Sequence, residues 1–155
     1  MQKIASFTVD HTKLLPGLYV SRKDKKEQTI VTTFDLRFKK PNVEPAIPTA
    51  PLHAIEHLGA TFLRNSKIKK DVIYFGPMGC RTGFYLVLFG DLAPKDVYPY
   101  VMEMLNYIIN YSGVIPGASP IECGNFLDLD LKGAKELALD YKTDLTTCRN
   151  FDYPK

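Results

Sequence analysis

Histidine and cysteine are both scarce in this chain of 155 residues, at three apiece. Three is an odd number, and Cys80, Cys123 and Cys148 show no framework spacing, so a disulfide-stapled scaffold is excluded. In a reducing compartment such thiols are available for chemistry or for metal. Charge of one sign is also lacking: the net charge is only +3, and the basic residues are scattered or confined to turns. A nucleic-acid surface normally shows as a clustered basic face, so none is expected. No apolar run approaches the ~20 residues that a membrane-spanning helix needs. Residues 1–10 form neither an apolar signal core nor an Arg-rich presequence, and the expected location is the cytoplasm. There is no internal repeat and no low-complexity segment. The length falls in the ~100–200 residues usual for one domain, so residues 1–155 are expected to form a single unit. That is enough chain to bury a core without staples.

What is present reads as a mixture of strands and helices. A first β region runs from about Leu18 to Phe38, and the charged run Arg22-Lys23-Asp24-Lys25-Lys26 predicts a solvated turn inside it. Thr29 to Phe38, rich in Thr, Val, Ile and Phe, predicts the second strand of that pair. Pro41, Pro45, Pro48 and Pro51 then keep a helix from starting early, because each lacks an N–H and disfavours helix at the residue before it. Thr49 is the expected N-cap of a helix running to about Asn65, with Leu52, Ile55, Leu58, Gly59 and Phe62 or Leu63 as its apolar stripe. Asp71–Phe75 and Phe84–Phe89 predict two more strands, Pro94–Tyr111 a second helix, Glu122–Phe126 a short extended piece, and Leu131–Leu145 a last helix. Short strand links of this kind predict an α+β fold of two layers, an antiparallel sheet with helices packed on one side.

The chemistry concentrates in His53-Ala54-Ile55-Glu56-His57, an H-x-x-E-H pattern in the inverted zincin order. Residues four apart share a helix face, so both imidazoles can reach one metal, and Glu56 stands beside them to move protons. The chain spends two of its three histidines at this spacing, which argues against a merely structural pair. Two ligands are too few, because a catalytic site typically takes three from the protein and leaves one position open. The third is expected from Cys80 or Cys123, both beside glycines; position alone does not decide which is ligand and which is reactive group. Arg81, next to Cys80, is a candidate to favour its thiolate. Cys148 has no supporting pattern and is read as a plain small side chain.

Ser6-Phe7-Thr8-Val9-Asp10-His11-Thr12, Phe34-Asp35-Leu36-Arg37-Phe38, Pro41-Asn42, the His53 motif with Leu58, Pro77-Met78-Gly79-Cys80-Arg81-Thr82-Gly83-Phe84-Tyr85 and Glu122-Cys123-Gly124-Asn125 occur together and in order. In this combination the chain resembles the LuxS family over nearly its whole length. Those are the S-ribosylhomocysteine lyases that form the autoinducer-2 precursor. The resemblance implies a single catalytic domain with His53, His57 and Cys123 as metal ligands and Glu56 and Cys80 as the acid/base pair. It implies Ser6, His11 and Arg37 as contacts to the sugar, with Arg81 grouped among the substrate-binding residues. It further implies one divalent metal per subunit, ferrous iron replaceable by zinc or cobalt, and a homodimer with active sites at its interface. One segment departs from the family: Tyr74-Phe75-Gly76 stands where an Asp-Ile-Ser run is usual, at the part that helps hold the homocysteine end. Two other readings are an inverted-zincin peptidase, which would use a carboxylate as third ligand, and a non-catalytic metal-binding relative.

Overall fold

The computed structural model describes Ile4 and residues 7–154. Ser6, implied above as a sugar contact, lies outside the described residues. Four strands, β1 (Gly17–Lys26), β2 (Thr29–Arg37), β3 (Val72–Pro77) and β4 (Gly83–Phe89), form one antiparallel sheet in the order β1-β2-β4-β3. Three helices, α1 (Thr49–Leu63), α2 (Pro94–Asn110) and α3 (Leu131–Thr147), complete it, which is the expected α+β architecture. Along β1, β2 and β4 alternate residues point to opposite faces. Leu18, Phe34, Leu36, Phe84, Leu86 and Leu88 form the inner face and join the helices in one buried core. The outer face carries the rows Tyr19–Asp35–Tyr85 and Gly17–Arg37–Gly83, paired across three strands.

The charged run Arg22–Lys26 is strand rather than turn; the turn falls at Glu27-Gln28, where Glu27 takes φ +55. β1 is an edge strand, so these long charged side chains stay in water while their backbone pairs with β2. Charge on an edge strand also discourages pairing with a foreign chain. Lys23 reaches across to Asp91. Residues 122–126, expected as an extended piece, instead fold as turns. The Ser119 carbonyl accepts from both Glu122 N–H (3.2 Å) and Cys123 N–H (3.0 Å), which curls the chain instead of extending it.

α1 begins at Thr49, yet the capping position is Pro48 and no side chain caps the helix. Thr49 Oγ1 is turned to the Asp128 carboxylate instead, at 3.2 Å. The proline-rich loop ahead of it is pinned where Ile47 N–H donates to the Arg81 carbonyl at 2.8 Å. One face of α1 buries Leu52, Ile55, Leu58, Gly59 and Leu63, while His53, Glu56 and His57 lie half-buried on another. Position 59 is glycine because the Phe75 ring occupies the place of a side chain, with Met104 close behind. No helix among the described residues is long and apolar enough to cross a membrane.

Gly59→Ala tests this packing. Alanine gains about 1 kcal/mol of helix propensity, but overpacking a core costs about 1–3 kcal/mol. A lower urea midpoint is expected; an equal or higher one would mean that Phe75 moves aside freely.

Candidate active site

The helical spacing that predicts a shared ligand face is realised. One ligand atom each from His53, His57 and Cys123 lies within 4.8 Å of the others, and His53 Nε2 is 3.5 Å from Cys123 Sγ. Cys123, rather than Cys80, is therefore the cysteine brought to the histidines. It arrives on the turn-rich segment between α2 and α3, where Asn125 N–H points at its sulfur from 3.4 Å. The same segment aims the imidazoles. His53 Nδ1 lies 2.9 Å from the Asp128 carbonyl oxygen and His57 Nδ1 lies 2.7 Å from that of Pro116. A carbonyl can only accept, so each Nδ1 carries a proton, and in the neutral ring Nε2 keeps its lone pair for a ligand. This is the usual outer arrangement around metal-binding histidines. The donor set, two neutral imidazoles and a thiol that ionises on binding, fits a divalent transition metal of the zinc or iron type. Glu56 Oε2 stands 3.7 Å from His57 Nε2, beside the ligands.

Cys80 sits elsewhere, in the β3–β4 turn, where it is exposed. Its Sγ is 3.1 Å from Thr82 Oγ1 and 3.9 Å from Arg37 Nη1. Arg37 Nη1 also donates to Thr82 Oγ1 at 2.6 Å, so the hydroxyl proton is free to turn toward the sulfur. Burial pushes the Cys80 thiol up, but hydrogen bonds from Thr82 and the Arg37 charge together bring it below the ordinary thiol range. The cation at this sulfur is therefore Arg37 on β2 and not the neighbouring Arg81. Arg81 takes φ +55 in the turn, and its guanidinium reaches the Ile47 carbonyl at 3.4 Å. His11 borders two adjoining hollows, one with Cys80 and Thr82 and one with Arg37 and Tyr85. The structure thus groups Cys80, His11 and Arg37 at one place and His53, Glu56, His57 and Cys123 at another.

The S-Ribosylhomocysteinase (LuxS) family profile matches residues 4–151. The chain belongs to this family. An S-ribosylhomocysteine lyase from Desulfotalea psychrophila is 56% identical over 158 residues, spanning 99% of both chains. One from Clostridium beijerinckii is 54% identical over 158 residues, again 99% of both. One from Finegoldia magna is 52% identical over 157 residues and 100% of both.

Within this family member, several contributors to the site escape a reading of side-chain types. Pro116 and Asp128 act through backbone oxygens, which residue identity does not signal. Gly117 has φ +74, and a Cβ there would lie 3.1 Å from His57 Nδ1, so glycine allows the loop to close on the imidazole. The Pro116-Gly117 pair is the one sequence mark of that turn. Thr82, which is hydrogen-bonded to Cys80, stands inside the Pro77–Tyr85 motif, where its residue type signals no role of its own. At the departure Tyr74-Phe75-Gly76 the Tyr74 phenol lies over Gly76, where a side chain would have to displace it.

Two outcomes are expected. Gly117→Ala strains a positive φ and crowds His57, so metal affinity falls about 10–100-fold, as for loss of an outer-shell partner; chelator competition would read it, and unchanged affinity would mean that the Pro116 contact does not set the ligand. Alkylation of Cys80 should rise with pH and level off earlier than for a free thiol, because the thiolate is the nucleophile. Thr82→Val should move that midpoint upward, and a coincident curve would remove Thr82 from the account.

Proposed function

We propose that this protein is an S-ribosylhomocysteine lyase, cleaving the thioether of its substrate to homocysteine and 4,5-dihydroxy-2,3-pentanedione, the autoinducer-2 precursor. The observation that carries the reading is the convergence of His53, His57 and Cys123, with Glu56 beside them. It occurs in a chain more than half identical, end to end, to proteins that bear that name. A third ligand that is a cysteine also speaks against the peptidase reading, which would use a carboxylate; Glu122 is hydrogen-bonded to Ser119 instead.

Chemistry explains why such groups are needed. A thioether leaves easily only when a carbonyl stands β to it. In S-ribosylhomocysteine the carbonyl is at C1 and the sulfur at C5. Moving the carbonyl to C2 and then to C3 brings sulfur into the β position. Loss of the C4 proton then expels homocysteine as the C5–S bond breaks. A divalent metal on His53, His57 and Cys123, ferrous iron with zinc or cobalt able to replace it, supplies Lewis-acid polarisation of the sugar oxygens. The remaining work is proton transfer, which favours groups whose pKa lies near the working pH. Cys80, held toward thiolate by Thr82 and Arg37, takes protons from carbon in the isomerisations. Glu56, beside the ligand cluster, moves protons at the oxygens and serves the elimination. His11 and Arg37, which line the hollows next to Cys80, are the proposed contacts to the sugar, with Ser6 and Arg81 as the other proposed substrate contacts.

The site is completed across a homodimer. Within one chain the Cys80 hollow, about 330 Å³, and the hollow beside Glu56, His57 and Gly117 have no lining residue in common. Apolar Tyr74 and Phe89 stand about half exposed, at 50% and 47%, on the sheet face away from the helices. A second copy would cover that face and bring the thiol of one subunit to the ligands of the other.

A free-thiol assay on metal-replete protein given S-ribosylhomocysteine tests the reading. Cys80→Ala and Glu56→Ala should each lower release by about 100-fold or more, with the metal still bound. Silence from wild-type protein with its metal loaded would sink the lyase reading. Near-normal turnover by either variant would remove that residue's role.

A further inference from the structure

The C-terminal tail carries a hydroxyl that the mechanism above leaves unused. After α3, Arg149 takes φ +46. Asn150 then anchors the chain on β1: its carbonyl accepts from Leu18 N–H at 2.9 Å, and its Nδ2 donates to the Pro16 carbonyl at 2.8 Å. Gly17 allows this approach, since a Cβ there would lie 2.6 Å from the Asn150 oxygen. The Tyr153 ring stacks on Tyr19, with centroids 4.7 Å apart and planes 12° from parallel. Tyr19 pairs with Asp35 across β1 and β2, so the tail roofs the outer sheet face at the buried ion pair.

That pair is closely arranged. Asp35 and Arg37 are 2% and 3% exposed. Arg37 Nε donates to Asp35 Oδ1 at 3.1 Å and Nη2 donates to Oδ2 at 2.6 Å. The Tyr153 phenol donates to the same Oδ2 at 2.9 Å. Only Nη1 remains for Thr82 and Cys80, at 2.6 Å and 3.9 Å.

We propose that Tyr153 is a positioning residue for Cys80: its hydroxyl holds the Asp35 carboxylate and so aims the Arg37 charge at the sulfur. The proposal rests on the lyase reading only in naming Cys80 as the reactive thiol. Two effects act in the same direction. A carboxylate that accepts one more hydrogen bond has less unshared charge to set against Arg37, which leaves more of the positive field for the thiolate. A fixed carboxylate also fixes the planar fork it binds. Ser21 is hydrogen-bonded to the phenol, which leaves the phenol proton for Asp35. Burial and the Asp35 charge push the Tyr153 hydroxyl above the ordinary tyrosine range, so it stays a donor wherever the thiol titrates. The other charged or titratable groups facing this region are His11 and Glu44, which line the Cys80 hollow, Tyr85 on β4, beside Arg37, and the phenols of Tyr19 and Tyr141, which feel both Asp35 and Arg37. Tyr153 lies beyond the residues that the family profile matches, 4–151.

The test uses metal-loaded protein with Tyr153→Phe and Tyr153→Ala. Iodoacetamide labelling of the Cys80 peptide is followed by mass spectrometry across pH, beside each variant's melting temperature and pH–rate profile of thiol release. Both variants should shift the labelling midpoint upward, and below it Cys80 should react about threefold more slowly, which is about half a pH unit. The acid limb of the pH–rate profile should move with it. Phenylalanine keeps the ring on Tyr19, so its melting temperature should stay near wild type. If Tyr153→Phe labels like wild type and only Tyr153→Ala differs, the residue acts through ring packing alone and the proposal fails. If Tyr153→Ala does not fold, Tyr153→Phe still decides. Slower labelling of Tyr153→Phe in a protein that releases no thiol would support the positioning role while the lyase reading fell.

Discussion

Two backbone carbonyls, those of Pro116 and Asp128, determine what the helix motif can do. An imidazole with either nitrogen free is an indifferent ligand, able to present the wrong tautomer or to rotate away. Bound at Nδ1 by an oxygen that can only accept, each ring must present Nε2, and that of His53 lies 3.5 Å from the sulfur of Cys123. The same segment supplies the carbonyls and the sulfur, so a single loop placement sets ligand identity, tautomer and spacing together. Its own geometry depends on Gly117 at φ +74 and on the paired turns closed at the Ser119 carbonyl. The final stretch is tied back to α1, where Asp130 N–H donates to the Ala50 carbonyl at 3.1 Å and Thr49 meets Asp128 at 3.2 Å. The loop is thus an extension of the helix it serves.

The buried Asp35–Arg37 pair is the second constraint, and stability alone does not account for it. Burying two charges is often no better than burying apolar residues of the same shape, whereas removing one partner costs about 3–5 kcal/mol. Such a pair makes sense where a fixed charge is needed. Two of the Arg37 donors are committed to Asp35. What remains is one nitrogen aimed at Thr82 and Cys80. The sheet therefore delivers a directional positive field to the turn that carries the thiol.

Periodicity and local chemistry made the helices and the sheet class legible, because apolar spacing is a property of the residues themselves. α2 and α3 end within about two residues of where their stripes do, ordinary fraying for helix ends. The failures have a common origin in tertiary context. Arg22–Lys26 reads as turn by charge, but an edge strand keeps its side chains in water and lets the backbone pair. Thr49 is a good cap by type, but Asp128 from a distant loop engages its hydroxyl. That His53 and His57 share one helix face was legible from their spacing, and which of Cys80 and Cys123 comes to them was not, since both stand beside glycines. Arg81 was the natural partner of Cys80 by adjacency, yet the turn sends it to Ile47 and the sheet brings Arg37, distant in sequence, to the sulfur.

That separation of two cysteines also follows from coordination chemistry. Two histidines and one thiolate leave a fourth position for substrate, as catalytic sites require. Adding a second thiolate of the same chain within reach would complete a two-cysteine, two-histidine set, the closed form found in structural sites. Among the described residues the cluster stops at three ligands, and Cys80 is not one of them. Its sulfur is held instead by a hydroxyl and a guanidinium, which favour the thiolate without consuming its nucleophilicity in a metal bond. In the proposed dimer the thiol of one subunit would be brought to the ligand cluster of the other across the interface. A base that must take protons from carbon has to be close to the ligand cluster without belonging to it, and placing it on the partner subunit satisfies both conditions.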